Sequence, residues 1–526
     1  MPSKPKIGAY VLETLTTGMY REPLDTVREY VQNAADSLRD AERQSILSRN
    51  EGRIEAEISV TDRRFILKDN GTGIPGESAQ ARLLNIGMSD KLIGQSAGFR
   101  GIGRLAGIAY CDRLSFRTTA RGEAEETTIS IDCAAVRDAI TPAKRQVEEL
   151  ADMLLRFSEI AVRKAVKGDH YFQVIMEGVN PKMGAHFLDW QLLEKYLGQV
   201  APVEYDAQRF VFASKIRQFM KDHDLVMPVC TLIVRDGGVE HQAFKPYRSR
   251  YVSSGKGGGA ALSFDIKDIR FYPEEPNPES PYWLWYGVSD LVGSVDDERV
   301  AGFRLRKHNI ALDGADRMAE LFEATAKTNR RFNSYFIGEV HVQSLNAIPN
   351  ARRDGFEDVG SWPEIKELLH PFIEERCADV RRLSGIRNQP VPKVVHTAEV
   401  VLERANDRLK HGLASKAERD GLLEKVGDQL ARVMQTQERE AANGKTKELI
   451  QVATKLQTVQ RSLANEENYI FQKVSSSLSR KERAVLQDAI EAVHEIMESM
   501  SCNAREECFK KVRDAIIDKF NGRKGK

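Results

Sequence analysis

The sequence predicts an α+β protein of three domains, and three observations lead to this fold class. Residues 1–185 and residues 186–385 both combine strand-like segments with amphipathic helical segments, whereas residues 386–526 have an almost entirely helical pattern. A chain of 526 residues is also too long for a single hydrophobic core. We therefore expect two mixed α/β domains followed by a helical, coiled-coil-like bundle.

The composition is ordinary for a globular protein and argues against some classes of function. Apolar residues make up 41% of the chain, charged residues make up 29%, and the formal net charge is +1. This balance is unlike that of a protein whose main task is to neutralise nucleic-acid phosphates, although it leaves room for a local basic patch. Because the sequence has neither a signal-peptide core nor a membrane-spanning apolar run, we expect a cytoplasmic protein. The six scattered cysteines, none of them in a CxxC pair, predict reduced thiols.

The first domain is expected to begin with a helix and to continue as a sheet. Pro23 fits the first turn of this helix, which runs to near Ala41. Its apolar stripe consists of Leu24, Val27, Val31, Ala34 and Leu38. Strands are predicted at 54–60, 64–68, 113–119, 126–132 and 170–176, with a hairpin between the third and the fourth, and a second helix is predicted at 143–166.

The second domain opens with a helical segment, DWQLLEKYL, and has strand candidates at 229–234 and 282–288. Residues 253–260 predict a flexible hairpin tip, because the glycines around Lys256 lack the order of a phosphate-binding P-loop. Residues 273–281 predict an exposed proline-rich loop.

The third domain follows Gly385, Pro390 and Pro392 and carries apolar residues at heptad-like spacing. Breaks are expected at Gly444 and Ser475–Ser479. The spacing fits a bundle that folds on itself and fits an intermolecular coiled coil equally well. The stripes are Leu423, Val426, Leu430 and Val433; Leu449, Val452, Leu456, Val459 and Leu463; and Leu486, Ile490, Val493, Met497 and Met500.

The first candidate site motif is EYVQNAAD, in which Glu29, Asn33 and Asp36 lie on one helix face beside the apolar stripe. A polar helix edge in this position fits the wall of a cleft. There a carboxylate can orient a water molecule, and an amide can hold a magnesium ion between phosphates. Taken alone, the motif favours an ordinary amphipathic helix.

The second motif is FILKDNGTGIP (65–75), a short apolar strand that ends at Asp69. One interpretation is a strand followed by a polar turn. The other is that the carboxylate accepts a hydrogen bond from an exocyclic amine such as that of adenine, which guanine lacks at this position. Gly71 and Gly73 would then let the backbone approach a flat base.

The third motif, at 85–107, holds Gly98, Gly101 and Gly103 in a GxxGxG spacing before the helix-like segment RLAGIAY. Glycines before a helix N-terminus expose N–H groups that can bind a triphosphate, and Lys91 and Arg100 add positive charge. The motif does not follow a strand in the way that a dinucleotide-binding fingerprint requires, so a Rossmann fold is not favoured.

The order and spacing of these three motifs resemble the GHKL superfamily of ATPases, which includes gyrase B, heat shock protein 90, histidine kinases, MutL and MORC proteins. The resemblance implies a GHKL (Bergerat) α/β sandwich in residues 1–185, with ATP and Mg²⁺ as ligands. It implies that Glu29 is the general base, that Asn33 is the Mg²⁺ ligand and that Asp69 recognises adenine. The remaining ATP-binding residues implied are Gly71, Gly73, Lys91, Gly98, Gly101 and Gly103. Histidine kinases lack a glutamate at this position, so its presence favours hydrolysis.

One departure from the family concerns the floor of the adenine pocket. GHKL ATPases usually place a threonine there, on a late strand of the domain. In this sequence His170 stands near the matching position. The resemblance therefore implies either that the threonine is replaced or that Thr127 or Thr128 serves from another strand.

In the second domain, FIGEVHVQSLNAIPNARRDGF (336–356) is similar to a loop of the middle domain of heat shock protein 90 that delivers an arginine to the γ-phosphate. It also resembles the transducer (ribosomal protein S5-like) domain of MORC and MutL proteins, in which a lysine has this role. The resemblance implies Arg353 as a catalytic residue, with Arg352 as a rival. The alternative is an exposed Arg–Asp pair on a loop.

The function implied is a dimeric, ATP-driven molecular clamp with slow ATPase activity. One hypothesis is a chaperone similar to heat shock protein 90, acting as a homodimer on protein clients rather than on DNA. A second is a DNA-associated clamp resembling MORC or MutL proteins, which the helical tail and its basic ending favour. A third is a switch that binds the nucleotide without hydrolysing it.

Overall fold

A computed structural model describes residues 7–14, 22–87, 103–141, 148–253, 262–312, 314–350, 352–387, 389–411, 413, 416–440 and 446–464, together with single positions between 479 and 516. The chain divides into two compact units, residues 1–380 and residues 381–526. The predicted boundary at 185 lies inside the first unit and stays a prediction.

The first unit is built on an eight-stranded sheet. Its strands are Arg53–Ser59 (β1), Arg64–Asp69 (β2), Arg113–Thr119 (β3), Glu125–Asp132 (β4), Ser158–Lys164 (β5), Tyr171–Glu177 (β6), Thr231–Asp236 (β7) and Val239–Gln242 (β8). Their order is β5-β4-β3-β6-β2-β1-β7-β8, with β1 and β7 parallel and the other neighbours antiparallel. Strands β7 and β8, from the segment predicted for the second domain, thus extend the sheet of the first.

The helices of this part of the chain pack on the sheet around one hydrophobic core. They are Val11–Glu13 (α1), Leu24–Arg43 (α2), Gly76–Leu84 (α3), Cys133–Ala139 (α4), Leu150–Arg156 (α5) and Trp190–Val200 (α6), with 3-10 helices at Gly103–Ala109 and Ala185–Leu188. The next helix, Ala213–Asp222 (α7), packs in a second core instead. The predicted stripe of α2 is buried in that core. Alternate residues of β1 and β2 are buried as well, so the helical and strand periodicities both predicted the correct elements.

The predicted helix at 143–166 is wrong over much of its length. The described part of this segment contains only the short helix α5, followed by strand β5 along one edge of β4. Ile160 and Val162 are β-branched and suit a strand, and β4 offers them an open hydrogen-bonding edge. Pairing with a distant strand therefore overrides the local helical pattern.

A second sheet and a second core complete the first unit. The order of its strands is β11-β12-β15-β13-β14. Strands β9 and β10 pair with each other. The segment between them, 254–261, lies outside the described residues and includes most of the predicted hairpin tip. The strands are Arg250–Val252 (β9), Ser263–Asp265 (β10), Asp268–Tyr272 (β11), Tyr282–Val288 (β12), Gly302–Lys307 (β13), Ile310–Ala311 (β14) and Ile337–Val342 (β15). The helices are Asp316–Thr325 (α8), a 3-10 helix at Lys327–Tyr335, and Trp362–Arg387 (α9), which leads into the second unit.

A buried ionic cluster lies in this second sheet. Lys245 Nζ is 2.6 Å from Glu339 Oε2, and Arg306 pairs with the other oxygen of the same carboxylate. His341 Nε2 lies 3.1 Å from Glu339, and its ring stacks on Trp283 with the ring centres 4.2 Å apart. Burial lowers the pKa of His341 to about 4, because the interior disfavours an additional charge.

The described part of the second unit is a helical bundle of Val391–His411 (α10), Lys416–Glu440 (α11) and Lys447–Ala464 (α12). The predicted stripes of α11 and α12 pack against each other and against α10 within one chain. Gly444, residues 475–478 and most of the third stripe lie outside the described residues. The intermolecular coiled coil stays a prediction. No helix in the described part of the chain is both long and apolar enough to cross a membrane.

Candidate active site

One edge of α2 forms the wall of the candidate site. Glu29, Asn33 and Ser37 lie on this edge, since they are spaced four residues apart. Ser37 Oγ accepts a hydrogen bond of 3.1 Å from the Thr72 amide, so the edge lies against the turn that follows β2. Glu29 is only 6% exposed, and Asn33 is half-buried. Asp36, seven residues after Glu29 in the same helix, shares this face as predicted, and its carboxylate forms an ion pair with Arg39.

Asp69 ends β2 as predicted and is 1% exposed. Its Oδ1 accepts a hydrogen bond of 2.9 Å from the Gly71 amide, which orients the carboxylate. A Cβ atom on Gly71 would lie 2.1 Å from Ser37 Oγ, and a Cβ on Gly73, whose φ is +65°, would lie 2.0 Å from the Thr119 carbonyl. Both positions therefore require glycine because of contacts inside the protein, and a role towards a base stays a prediction.

The strand register defines the residues beside Asp69. Phe172 of β6 lies directly opposite Asp69, and His170 Nδ1 is 2.7 Å from the Gly71 carbonyl. Thr127 and Thr128 belong to β4, which β3 and β6 separate from β2. Neither threonine therefore lies on a strand next to Asp69.

A threonine does support the turn from another strand. Thr118 of β3 is buried opposite Phe172, and its hydroxyl accepts a hydrogen bond of 2.8 Å from the Ile74 amide. The same hydroxyl donates to the Tyr171 carbonyl over 3.0 Å. Thr118 thus fixes the chain that follows Gly73.

The 3-10 helix at Gly103–Ala109 closes the site from the side of the glycine-rich motif. A Cβ on Gly103 would lie 2.2 Å from Glu29 Oε2, so the backbone of Gly103 lies directly against the carboxylate. The Tyr30 hydroxyl accepts a hydrogen bond from the Gly107 amide and donates one to the Arg104 carbonyl, which ties this helix to α2. Lys91, Gly98 and Gly101 lie outside the described residues.

Arg353 lies in the connection between β15 of the second sheet and α9, and its side chain reaches Glu29. Its Nε is 3.7 Å from Glu29 Oε1, and both side chains are almost fully buried. Arg352 is exposed, and only its backbone carbonyl takes part, accepting a hydrogen bond of 3.2 Å from Arg28. Of the two arginines considered from the sequence, Arg353 is the one whose side chain contacts Glu29.

One protein family matches the part of the chain that contains most of these residues. Residues 22–159 match the family described as histidine kinase-, DNA gyrase B- and HSP90-like ATPases. This match supports the assignment of residues 22–159 to the GHKL superfamily. The GHKL match contains Glu29, Asn33, Asp69 and Gly103, and it ends before Arg353. No curated protein matches the chain.

The loop that carries Arg353 to Glu29 is held by polar contacts. Asn350 accepts a hydrogen bond from the Asp354 amide and donates one of 2.6 Å to the Asp354 carboxylate. Arg317 of α8 binds the carbonyl and the carboxylate of Asp354 over 2.8 and 3.1 Å. These contacts maintain Arg353 at a φ of +59°, a conformation that is uncommon for a residue with a side chain.

The chemistry available at this site is that of a carboxylate beside a cation. Glu29 can orient a water molecule and accept its proton, and the always-charged guanidinium of Arg353 can stabilise negative charge on a transferring phosphoryl group. Among the described residues, no group of three or more His, Cys, Asp or Glu side chains could hold a metal ion. The role of Asn33 as a ligand of Mg²⁺ stays a prediction.

Four residues of this site were not singled out from the sequence. Ser37 lies four residues after Asn33, so an extension of the helix face would have identified it. Thr118, Arg28 and Arg317 had no comparable signal, because their roles depend on strand register and on contacts between distant segments.

Proposed function

We propose that the protein binds ATP and hydrolyses it, and that residues outside the GHKL domain complete the catalytic site. The observation that carries this proposal is the burial of Arg353 against Glu29. A GHKL domain that only sensed the nucleotide would not need a second segment to bring a buried cation to its carboxylate.

In the proposed mechanism, each residue has one task. Asp69 accepts a hydrogen bond from the adenine amine, and Glu29 orients the attacking water and takes its proton. Asn33 holds Mg²⁺, which when bound neutralises charge on the phosphates. Arg353 stabilises the charge that develops on the transferred phosphoryl group, and its contact with Glu29 places its guanidinium beside the base.

We further propose that the protein is a homodimeric clamp similar to heat shock protein 90, acting on protein clients. The choice of an arginine supports this class, because the resemblance to MORC and MutL proteins would place a lysine in this role.

The test is the Glu29→Gln variant, which keeps the shape of the side chain and removes the base. We expect ATP binding to be retained and the turnover rate to fall by about a hundredfold or more, the range for loss of a general base. Asp40→Asn removes a half-exposed carboxylate of the same helix and is the matched control. Unchanged turnover in Glu29→Gln would contradict the assignment of the base, and ATP binding without turnover in the wild type would favour the nucleotide-sensing switch.

A second measurement separates the two target classes. ATP-dependent suppression of client aggregation, without binding to long duplex DNA, is expected for the chaperone-like clamp. DNA binding that weakens steeply with salt would instead support the MORC- or MutL-like function.

A further inference from the structure

Strand β5 (Ser158–Lys164) forms one edge of the eight-stranded sheet among the described strands. Ile160 is 48% exposed and Val162 is 55% exposed, which is high for large apolar residues in a strand. Exposed, apolar sheet edges present unpaired backbone groups and tend to pair with another strand. The β5 edge is therefore a candidate interaction surface.

The backbone of β5 shows which residues face outwards. The Asp132 amide donates to the Phe157 carbonyl, and the Ala165 amide donates to the Ala124 carbonyl, each over 2.9 Å. Hydrogen-bonded pairs in an antiparallel ladder recur at every second residue. Odd-numbered residues of β5 therefore bond to β4, and the N–H and C=O groups of Ser158, Ile160, Val162 and Lys164 point away from the sheet.

The sequence of β5, SEIAVRK, is complementary to itself when it is read antiparallel about Ala161. Glu159 then faces Arg163, Ile160 faces Val162, and Ser158 faces Lys164. The outward-pointing residues 158, 160, 162 and 164 fall opposite one another, so all of them would form hydrogen-bonded pairs. Opposite charges and β-branched apolar residues that face each other across strands are both stabilising.

Other registers lose this match. If the strands paired about Ile160 or about Val162, the overlap would be shorter, and Glu159 or Arg163 would face Ala161 instead of the opposite charge. Because one register uses the whole strand and pairs both charges, the edge specifies its partner as a copy of itself. Such an isologous contact is the usual basis of a twofold dimer.

We propose that β5 pairs with β5 of a second copy of this chain, antiparallel about a twofold axis at Ala161, which joins two eight-stranded sheets into one. The β5 edge would then be the surface through which the homodimer forms. This inference rests on the proposed function in one respect, because the clamp requires two ATPase domains to pair. A second copy is the partner because its β5 matches this edge in both charged and apolar residues.

The first test is a cysteine at the axis. In the full-length Ala161→Cys protein, the two cysteines would face each other in a non-hydrogen-bonded pair with Cα atoms about 4.5 Å apart. This spacing falls within the range for disulfides, so we expect a covalent dimer on mild oxidation. Val239→Cys places an exposed thiol on β8, at the opposite edge of the sheet, and is the matched control. A yield no higher than that of Val239→Cys would overturn the proposal.

The second test exchanges charges in the Ala161→Cys protein. In Glu159→Arg an arginine would face an arginine across the two strands, and in Arg163→Glu a glutamate would face a glutamate. Neither variant should therefore pair with itself. A mixture of the two variants restores opposite charges at both positions and should form a mixed disulfide. Glu159 also lies 3.3 Å from Arg113 of its own chain, and Arg113→Gln controls for the loss of that contact. Disulfide yields that do not respond to these charges would also overturn the proposal.

ATP binding and turnover are measured on the same proteins. Covalent dimers that do not bind ATP would leave the β5 contact intact and remove the proposed function. An Ala161→Cys protein that turns over ATP at the wild-type rate but does not cross-link would remove the β5 contact and leave the proposed function intact.

Discussion

Replacement of Gly103 by alanine tests how closely the 3-10 helix constrains Glu29. The new Cβ would lie 2.2 Å from Glu29 Oε2 and 2.8 Å from the carboxyl carbon. Non-bonded atoms of this kind are normally about 3.5 Å apart, so the carboxylate must move by about 1 Å or more. The backbone of Gly103 has no positive φ, so alanine itself is not strained there.

The expected effect is on catalysis rather than on folding. The atoms in conflict all belong to the Glu29 side chain and none to the backbone, so the conflict can be relieved by a change of rotamer. A displacement of about 1 Å in a catalytic group lowers the rate by about a hundredfold, which corresponds to about 2.7 kcal/mol in the activation free energy. We therefore expect a large fall in kcat, a small change in ATP affinity and a nearly unchanged Tm.

The assay is steady-state and single-turnover ATP hydrolysis, with ATP affinity measured separately by calorimetry. Gly421→Ala is the control, because a Cβ at this position of α11 would meet no atom within 4 Å. Wild-type kcat in Gly103→Ala would refute the view that this glycine positions Glu29. A loss of ATP affinity with normal turnover of bound ATP would show instead that Gly103 acts mainly on the phosphates.

Three further predictions concern other parts of the molecule. Asp69→Asn should weaken ATP binding by about 1.5–3 kcal/mol, the value of a hydrogen bond to a charged group; calorimetry measures it, and unchanged affinity would remove the role in adenine recognition. Arg353→Ala should lower single-turnover hydrolysis by about a hundredfold or more, whereas Arg352→Ala, which keeps the backbone carbonyl, should have little effect; equal effects would contradict the assignment. His341 has a folded-state pKa of about 4, below the ordinary 6.5, so below pH 6.5 the unfolded chain binds the proton and the folded protein does not. Stability should therefore fall by about 2 kcal/mol between pH 7 and pH 5; urea unfolding measures this, and an equal loss in His341→Gln would show that another group is responsible.

Much of the candidate site was predictable because it follows from local spacing. The edge of α2 is fixed by the helical period, so Glu29 and Asn33 had to share a face once the helix was recognised. Asp69 was placed by the end of an alternating strand, followed by turn residues. Arg353 followed from a resemblance, and its closeness to Glu29 was then found in the tertiary contacts.

The residues beside Asp69 were not predictable in this way. Phe172 lies opposite Asp69 only because β6 pairs with β2 in one register, and a shift by one residue would have placed another side chain there. Thr118 supports the turn from a strand whose position in the sheet order is not given by its place in the chain.

The sequence by itself determined the elements whose periodicity is strong, namely α2, the β3–β4 hairpin and the stripes of α11 and α12. Only the tertiary structure decided that residues 158–164 form a strand, that β7 joins the first sheet, and that Arg353 rather than Arg352 lies on Glu29. The physical reason is that helical and strand periods depend on near neighbours in the chain. Strand partners, registers and ion pairs between distant segments depend instead on which surfaces are buried together when the chain folds.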